Sequence, residues 1–111
     1  DQLNRVFINL IKNSEESFIE KLQKEPKFKG NIVVEIDDNN DYIFIKLTDN
    51  GTGFTDINKA MTPYFTTKKT GSGLGLPIVT KIINEHSGNF SVKNTKGKSG
   101  ALITITLPKY A

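Results

Sequence analysis

The segment Thr62–Leu76, TPYFTTKKTGSGLGL, has residue types and spacing that suit the binding of a polyphosphate. Glycines let the backbone turn its N–H groups toward a ligand, a helix N-terminus adds partial positive charge, and lysine adds a full charge. We therefore predict a phosphate-binding loop that leads into a helix. An ordinary surface loop is the alternative, because glycine motifs alone are weak. The residues concerned are Thr66, Thr67, Lys68, Lys69, Gly71, Ser72, Gly73, Leu74, Gly75 and Leu76.

Two common phosphate motifs are excluded by their context. A dinucleotide-binding loop follows a buried strand, whereas Gly71 follows the polar run Thr66–Thr70. A P-loop has a glycine five residues before its Gly-Lys-Ser, and here the residue five before Gly97 is Val92. Neither motif is therefore present.

The composition indicates one globular domain over residues 1–111. The chain is 36% hydrophobic and 24% charged, and it lacks cysteine, so disulfides and thiolate metal sites are excluded. No apolar run approaches the ~20 residues that span a bilayer. We therefore expect a cytoplasmic domain without direct membrane contact. A helical pattern is already in progress at Asp1, which suggests a piece of a longer protein.

The net charge of +3 raises the possibility of nucleic-acid binding. The lysines are scattered, and their one cluster has the composition of a solvated loop around Pro26. No aromatic and basic recognition motif accompanies it, so we predict no nucleic-acid partner. The clustered residues are Lys21, Lys24, Lys27 and Lys29.

Two asparagines mark the first predicted helix, which covers Leu3–Leu22 on the spacing of its apolar residues. Asn9 and Asn13 lie four residues apart and so share one face. Asparagine is unfavourable inside a helix, because its side chain competes for backbone hydrogen bonds. The pair therefore indicates contact with a ligand or with metal-bound water, and a solvated polar face is the alternative.

The remaining elements predict an α+β fold, a two-layer α/β sandwich. We expect a mixed, mostly antiparallel sheet of about five strands, covered on one face by about three helices. Alternating apolar residues predict the strands, and helical spacing predicts the helices. The predicted strands are Asn31–Ile36, Tyr42–Leu47, Asn89–Asn94 and Ala101–Leu107, and the further helices are Ile57–Met61 and Leu76–His86.

Four short motifs occur in order along the chain. They are an Asn-Leu-x-x-Asn helix, Asp-x-Gly-x-Gly after a strand, Phe-Thr-Thr-Lys followed by Gly-x-Gly-x-Gly, and Gly-x-x-Gly before the last strand. Together they resemble the catalytic, ATP-binding domain of sensor histidine kinases, within the superfamily of gyrase, heat-shock chaperone and mismatch-repair ATPases. The resemblance covers Gln2–Pro108, and the amino-acid sequence of Pro63–Lys68 is most similar to that of the nitrogen-regulation type.

The resemblance implies ATP and Mg²⁺ as ligands. Asn9 and Asn13 match the asparagine motif, with Asn13 as the Mg²⁺ ligand. Asp49 would accept a hydrogen bond from the exocyclic amine of adenine, since a carboxylate only accepts. Gly51 and Gly53 would let the backbone pass close to the base.

The same resemblance implies a mobile ATP lid over Phe65–Thr70. Lys68 or Lys69 would reach the phosphates from this lid. The glycines at 71, 73 and 75 would form its hinge and the phosphate-facing start of the next helix.

Three single residues qualify the resemblance. Asn9 stands where hydrolysing relatives carry a glutamate that activates water, so the resemblance implies ATP binding without efficient hydrolysis. Ala101 replaces a threonine that is usual in the family, which removes one hydroxyl contact near adenine. His86 ends a helix within a short sequence that is common in the family, so we assign it a structural role. We expect the phosphoacceptor histidine elsewhere.

The function implied is that of a protein-histidine kinase. It would transfer the γ-phosphate of Mg-ATP to a histidine on the helical dimerisation domain of the same kinase, which then serves the receiver domain of a response regulator. The parent kinase would be cytoplasmic or anchored in the inner membrane. Two alternatives stay open: a catalytically silent ATP- or ADP-binding regulatory or docking module, and an anti-sigma-type serine kinase, which usually keeps an acidic residue at position 9.

Overall fold

The computed structural model describes residues 2–61 and 75–109. The predicted helices and strands are all present, and the first two strands each end two residues later than predicted. The elements are α1 (Gln2–Lys24), β1 (Ile32–Asp38), β2 (Tyr42–Asp49), α2 (Ile57–Ala60), α3 (Gly75–Glu85), β3 (Asn89–Asn94) and β4 (Ala101–Pro108).

The strands form one sheet in the order β1-β2-β4-β3, with three antiparallel pairs. The predicted α+β class is confirmed. Four strands are present in the described part of the chain, against the predicted five or so. None of their pairs is parallel.

One face of the sheet carries the hydrophobic core. Side chains alternate along a strand, and the register places Ile45 opposite Ile105 and Leu47 opposite Ile103, so all four project to the same side. Helices α1 and α3 cover that side with their apolar stripes. The buried helix residues of this cluster are Val6 and Leu10 from α1, and Leu76, Val79, Ile82 and Ile83 from α3.

The inner face of β1 lies beyond this cover. Val34 and Ile36 pair with Leu47 and Ile45, so they point to the helix side of the sheet. Ile36 is nevertheless 69% exposed. The described helices therefore cover β2, β4 and β3, whereas on β1 only Ile32 packs against the core and Val34 and Ile36 stay exposed. Within residues 2–61 and 75–109, no helix combines the length and apolar character that crossing a bilayer requires.

Helix α3 ends at Glu85, one residue before the predicted end at His86. The residue with the left-handed backbone is Ser87, at φ 61°. The amide of Gly88 donates to the carbonyl of Ile83 at 2.9 Å, the long bond of a Schellman motif. Gly88 is required for a different reason, since a Cβ there would lie 2.5 Å from the carbonyl oxygen of Thr106.

Candidate functional site

The carboxylate of Asp49 lies at the end of β2 and faces inward. It continues the alternation of Ile45 and Leu47, so the sheet directs it toward α1, and it is only 6% exposed. Oδ2 accepts the hydroxyl of Ser14 at 2.7 Å, while Oδ1 accepts the amides of Gly51 at 3.0 Å and Ala101 at 3.2 Å. Three uncharged donors from three parts of the fold thus hold one buried carboxylate.

The loop after Asp49 is fixed to α1 by Ser17. The amide of Thr52 donates to Ser17 Oγ at 2.6 Å, and the two hydroxyls lie 3.0 Å apart. From the other side, the hydroxyl of Ser99 donates to the carbonyl of Gly51. The backbone of the Asp-x-Gly-x-Gly motif is therefore held between a helix and the hairpin that precedes β4.

Asn50 ties the same loop to the segment between α1 and β1. Its side chain accepts the amide of Asn31 at 2.7 Å and donates to the carbonyl of Lys29 at 3.0 Å. The backbone carbonyl of Asn50 accepts a hydrogen bond from Lys21 Nζ at 2.9 Å. The same ammonium lies 4.7 Å from the ring centroid of Phe28. The prediction of a solvated loop at Lys21 was wrong, because Lys21 belongs to α1 and supports the loop.

Asn94, the last residue of β3, holds the far end of the loop. Its Oδ1 accepts the amide of Phe54 at 2.7 Å, and its Nδ2 donates to the carbonyl of the same residue at 2.9 Å. These two hydrogen bonds resemble the two that a directly opposed pair of residues exchanges between antiparallel strands. Gly53 lies beneath it with φ 73°, and a Cβ there would lie 2.8 Å from Asn94 Oδ1.

Asn13 lies at the junction of α1 and α3. A Cβ built on Gly75, the first residue of α3, would lie 3.6 Å from Asn13 Oδ1. The side-chain amide therefore stands beside a helix N-terminus, whose first N–H groups have no intrahelical partner. Asn9, one turn earlier on the same face of α1, is half-buried.

The described structure brings together Asn13, Asp49, Gly51, Gly53 and Gly75. The side chain of Leu76 is buried in the core, so only its backbone is available to a ligand. The other predicted binding residues lie outside the described residues. They are Phe65, Thr66, Thr67, Lys68, Lys69, Gly71, Ser72, Gly73 and Leu74.

Sequence reasoning missed five side chains outside the loop that position it: Ser14, Ser17, Lys21, Asn94 and Ser99. Ser14 and Ser17 carried a readable signal, because they follow Leu10 at helical spacing and so occupy core positions of α1. Serine at a core position requires a hydrogen-bond partner. Asn94 and Ser99 carried no comparable signal.

Two other features lie apart from the site. The ring of His86 bonds through Nδ1 to the carbonyl of Ile82 at 2.9 Å, which fits the structural role assigned to it. A cleft of about 520 Å³ lies on the flank of α3, and its lining within the described part of the chain contains none of the predicted site residues. Its lining consists of Met61, Pro77, Thr80, Lys81, Asn84 and Glu85.

Comparison with known proteins identifies the family. Residues 1–111 match the profile described as histidine kinase-, DNA gyrase B- and HSP90-like ATPase. The chain belongs to this ATPase family. It is 43% identical over 106 residues to an NtrY-like sensor histidine kinase of Rickettsia conorii, a match that covers 94% of this chain and 16% of that protein. The resemblance to sensor histidine kinases, and to the nitrogen-regulation type among them, is confirmed.

Solved structures of the family share this fold. The catalytic domain of histidine kinase ThkA superposes with a TM-score of 0.75 at 28% identity, over 97% of this chain and 67% of that one. Full-length ShkA in complex with AMPPNP gives a TM-score of 0.74 at 18% identity, over 96% of this chain and 21% of that one. The chain spans about a sixth of the length of the Rickettsia relative.

The donor set that the family would use for Mg²⁺ fits the residues present. No group of three or more acidic, histidine or cysteine side chains able to hold a metal occurs in the described part of the chain. Mg²⁺ does not require such a cage, since it usually keeps waters and takes one or two protein oxygens together with substrate phosphates. The amide oxygen of Asn13, beside the N-terminus of α3, is an oxygen donor whose chemistry fits that role.

Replacing Gly100 tests how closely the turn before β4 packs against the backbone of Asp49. Gly100 has φ 147°, and a Cβ there would overlap the carbonyl oxygen of Asp49. We expect Gly100→Ala to lower the free energy of unfolding by about 3 kcal/mol or more, because backbone strain and steric overlap add. Urea denaturation of the 111-residue chain measures this loss.

Gly97→Ala is the matched control. Gly97 also has a positive φ, 72°, but a Cβ at this position would have no other described residue within 4 Å. Its replacement should therefore cost only the backbone term, about 1 kcal/mol. Equal losses in the two variants would show that the contact between Gly100 and Asp49 is not tight.

Proposed function

We propose that this chain is the catalytic ATP-binding domain of a sensor histidine kinase. It binds Mg-ATP and presents the γ-phosphate to a histidine on the helical dimerisation domain of the same kinase. The observation that carries the proposal is the placement of two consecutive α1 residues. Asn13 lies beside the start of α3, and Ser14 bonds the buried carboxylate of Asp49.

Asp49 has the properties required to select adenine. A carboxylate offers about four acceptor positions and no donor, and the protein occupies three of them. The remaining position suits the exocyclic amine of adenine and opposes the carbonyl oxygen that guanine presents there. A hydrogen bond to a charged group contributes about 1.5–3 kcal/mol, so this contact gives useful selectivity.

Asn13 and the N-terminus of α3 supply the phosphate end of the site. The amide oxygen of Asn13 would hold Mg²⁺, and the N–H groups at Gly75 and Leu76, which have no partner within α3 itself, favour an anion. When bound, Mg²⁺ neutralises phosphate charge. Lys68 and Lys69, which lie outside the described residues, are proposed as the further cations of this end.

Asn9 supports phosphate transfer rather than hydrolysis. In family members that hydrolyse ATP, this position carries a glutamate that activates water, and an amide cannot take that proton. The catalytic contribution of the chain is therefore positioning and charge stabilisation, as in phosphoryl transfer generally. We propose Asn9, Asn13 and Lys68 as the residues nearest the reaction.

The rest of the signalling path belongs to the longer protein that we propose. The family and the complex of ShkA with AMPPNP support nucleotide binding. The phosphorylated dimerisation domain would pass its phosphoryl group to the receiver domain of a response regulator. We place this domain in the cytoplasm, with a parent kinase either cytoplasmic throughout or anchored in the inner membrane.

Replacing Asp49 by asparagine tests the adenine assignment. The carboxamide oxygen keeps the bonds to the two amides, and the hydroxyl of Ser14 can turn to accept from the new NH₂ group, so the fold should survive. A donor then faces the amine of adenine, and titration calorimetry with a non-hydrolysable ATP analogue should detect no binding.

Asp41→Asn is the control for charge in this experiment. Asp41 is exposed on the turn between β1 and β2, so its replacement makes the same change in net charge and should leave affinity intact. Unchanged affinity in Asp49→Asn would refute the adenine assignment.

Replacing Asn13 by alanine tests the metal assignment. Without the amide oxygen, Mg²⁺ should no longer tighten binding of the ATP analogue, while metal-free affinity changes little. Titrations with and without Mg²⁺ measure the difference. Asn4→Ala makes the same substitution at an exposed position of the same helix and should retain the Mg²⁺ effect. Equal tightening in Asn13→Ala would contradict the proposed role.

Phosphate transfer itself is tested by mixing the chain with the separately produced dimerisation domain of its kinase and γ-labelled ATP. Acid-labile label should appear on that domain only when both parts are present, and not when its acceptor histidine is replaced by glutamine. ATP binding without transfer would identify the chain as a silent nucleotide-binding module instead.

A further inference from the structure

Two serines occupy core positions on the buried stripe of α1. Ser14 is 1% exposed and Ser17 is 7% exposed, and they follow Leu10 by four and seven residues. A hydroxyl buried at such a position is unfavourable unless it is hydrogen-bonded. Both serines have partners, and both partners belong to the loop that begins at Asp49.

The two serines contact different chemical groups. Ser17 bonds the amide and the hydroxyl of Thr52, so it holds the course of the loop. Ser14 instead donates to Oδ2 of Asp49, so it holds the carboxylate itself. Oδ1 is fixed separately by two backbone amides.

The bond from Ser14 determines how the carboxylate is oriented. The terminal torsion of an aspartate is broad, so a carboxylate bonded only through Oδ1 samples a range of angles. A third bond to Oδ2 defines the plane and leaves about one of the four acceptor positions open. Among the described residues, Ser14 is the one whose hydroxyl reaches Asp49, since Ala101 donates only through its backbone.

We propose that Ser14 is a positioning residue that directs Asp49 toward the 6-amino group of the purine. The proposal rests on the nucleotide-binding function proposed above. Ser14 itself is too deeply buried to contact the ligand. Its effect should therefore appear only for ligands that offer the amino group to Asp49.

The test compares two nucleotides on three proteins. ATP and purine riboside 5′-triphosphate differ by the 6-amino group alone, and titration calorimetry gives the ratio of their dissociation constants. For the unchanged chain we expect ATP to bind at least about tenfold more tightly, as for one bond to a charged group. In Ser14→Ala this ratio should fall by about fivefold or more, mainly through weaker ATP binding.

Ser17→Ala is the matched control, with the same substitution one turn along the same stripe. Loss of its bonds to Thr52 should weaken both nucleotides alike or neither, so the ratio should stay that of the unchanged chain. A general disturbance of α1 would alter Ser14→Ala in the same way as Ser17→Ala. The ratio therefore separates orientation of Asp49 from structural damage.

A second pair of variants covers the case in which Ser14→Ala does not fold. Threonine and valine have the same shape and differ in the hydroxyl, so Ser14→Thr should keep the ratio and Ser14→Val should lose it. A preserved ratio in Ser14→Ala or Ser14→Val would overturn the role of Ser14 and leave the proposed function standing. A ratio near one in the unchanged chain would overturn adenine recognition by Asp49 as well.

Discussion

The rest of the site depends on the burial of one carboxylate. Burying a charged group is unfavourable unless hydrogen bonds replace its hydration. For Asp49 these bonds come from α1, from the turn after β2 and from the first residue of β4. All three elements must therefore meet at one point with correct geometry. The contacts of Ser17, Asn50 and Asn94 then fix the loop that runs out from that point.

The parts of this molecule that sequence patterns predicted are those that follow from backbone periodicity. The alternation of Ile45 and Leu47 on β2 extends to Asp49, so the strand itself turns the carboxylate toward the helices. Asn13 was predicted to contact a ligand because asparagine is unfavourable inside a helix, and the structure places its side-chain amide beside the N-terminus of α3. In both cases the informative residue departs from a regular pattern, and the pattern supplies the reference.

The parts that the sequence did not predict depend on contacts between distant segments. Ser14 and Asp49 are 35 residues apart, and the sequence around either residue does not indicate that the two form a hydrogen bond. Lysine is usually a surface residue, but folding brings Lys21 into contact with the carbonyl of Asn50 and the ring of Phe28. The left-handed residue after α3 is Ser87, and the glycine that follows it packs closely against β4. Local preference is overridden in each case by tertiary packing.

In the proposed site, the adjacency of Asn13 and Ser14 would let a single helix serve both ends of an extended ligand. Consecutive residues of an α-helix differ by about 100° in direction and 1.5 Å along the axis. One side chain therefore faces the start of α3 while the next faces the end of β2. The distance between the metal end and the base end is then set by the rigid backbone of α1 rather than by a loop. A nucleotide whose base and phosphates fit both ends gains from this fixed spacing, because little of the geometry has to be ordered when it binds. Under this proposal, position 14 matters to the site even though its side chain is buried, since its hydrogen bond links the spacing of the helix to the orientation of the carboxylate.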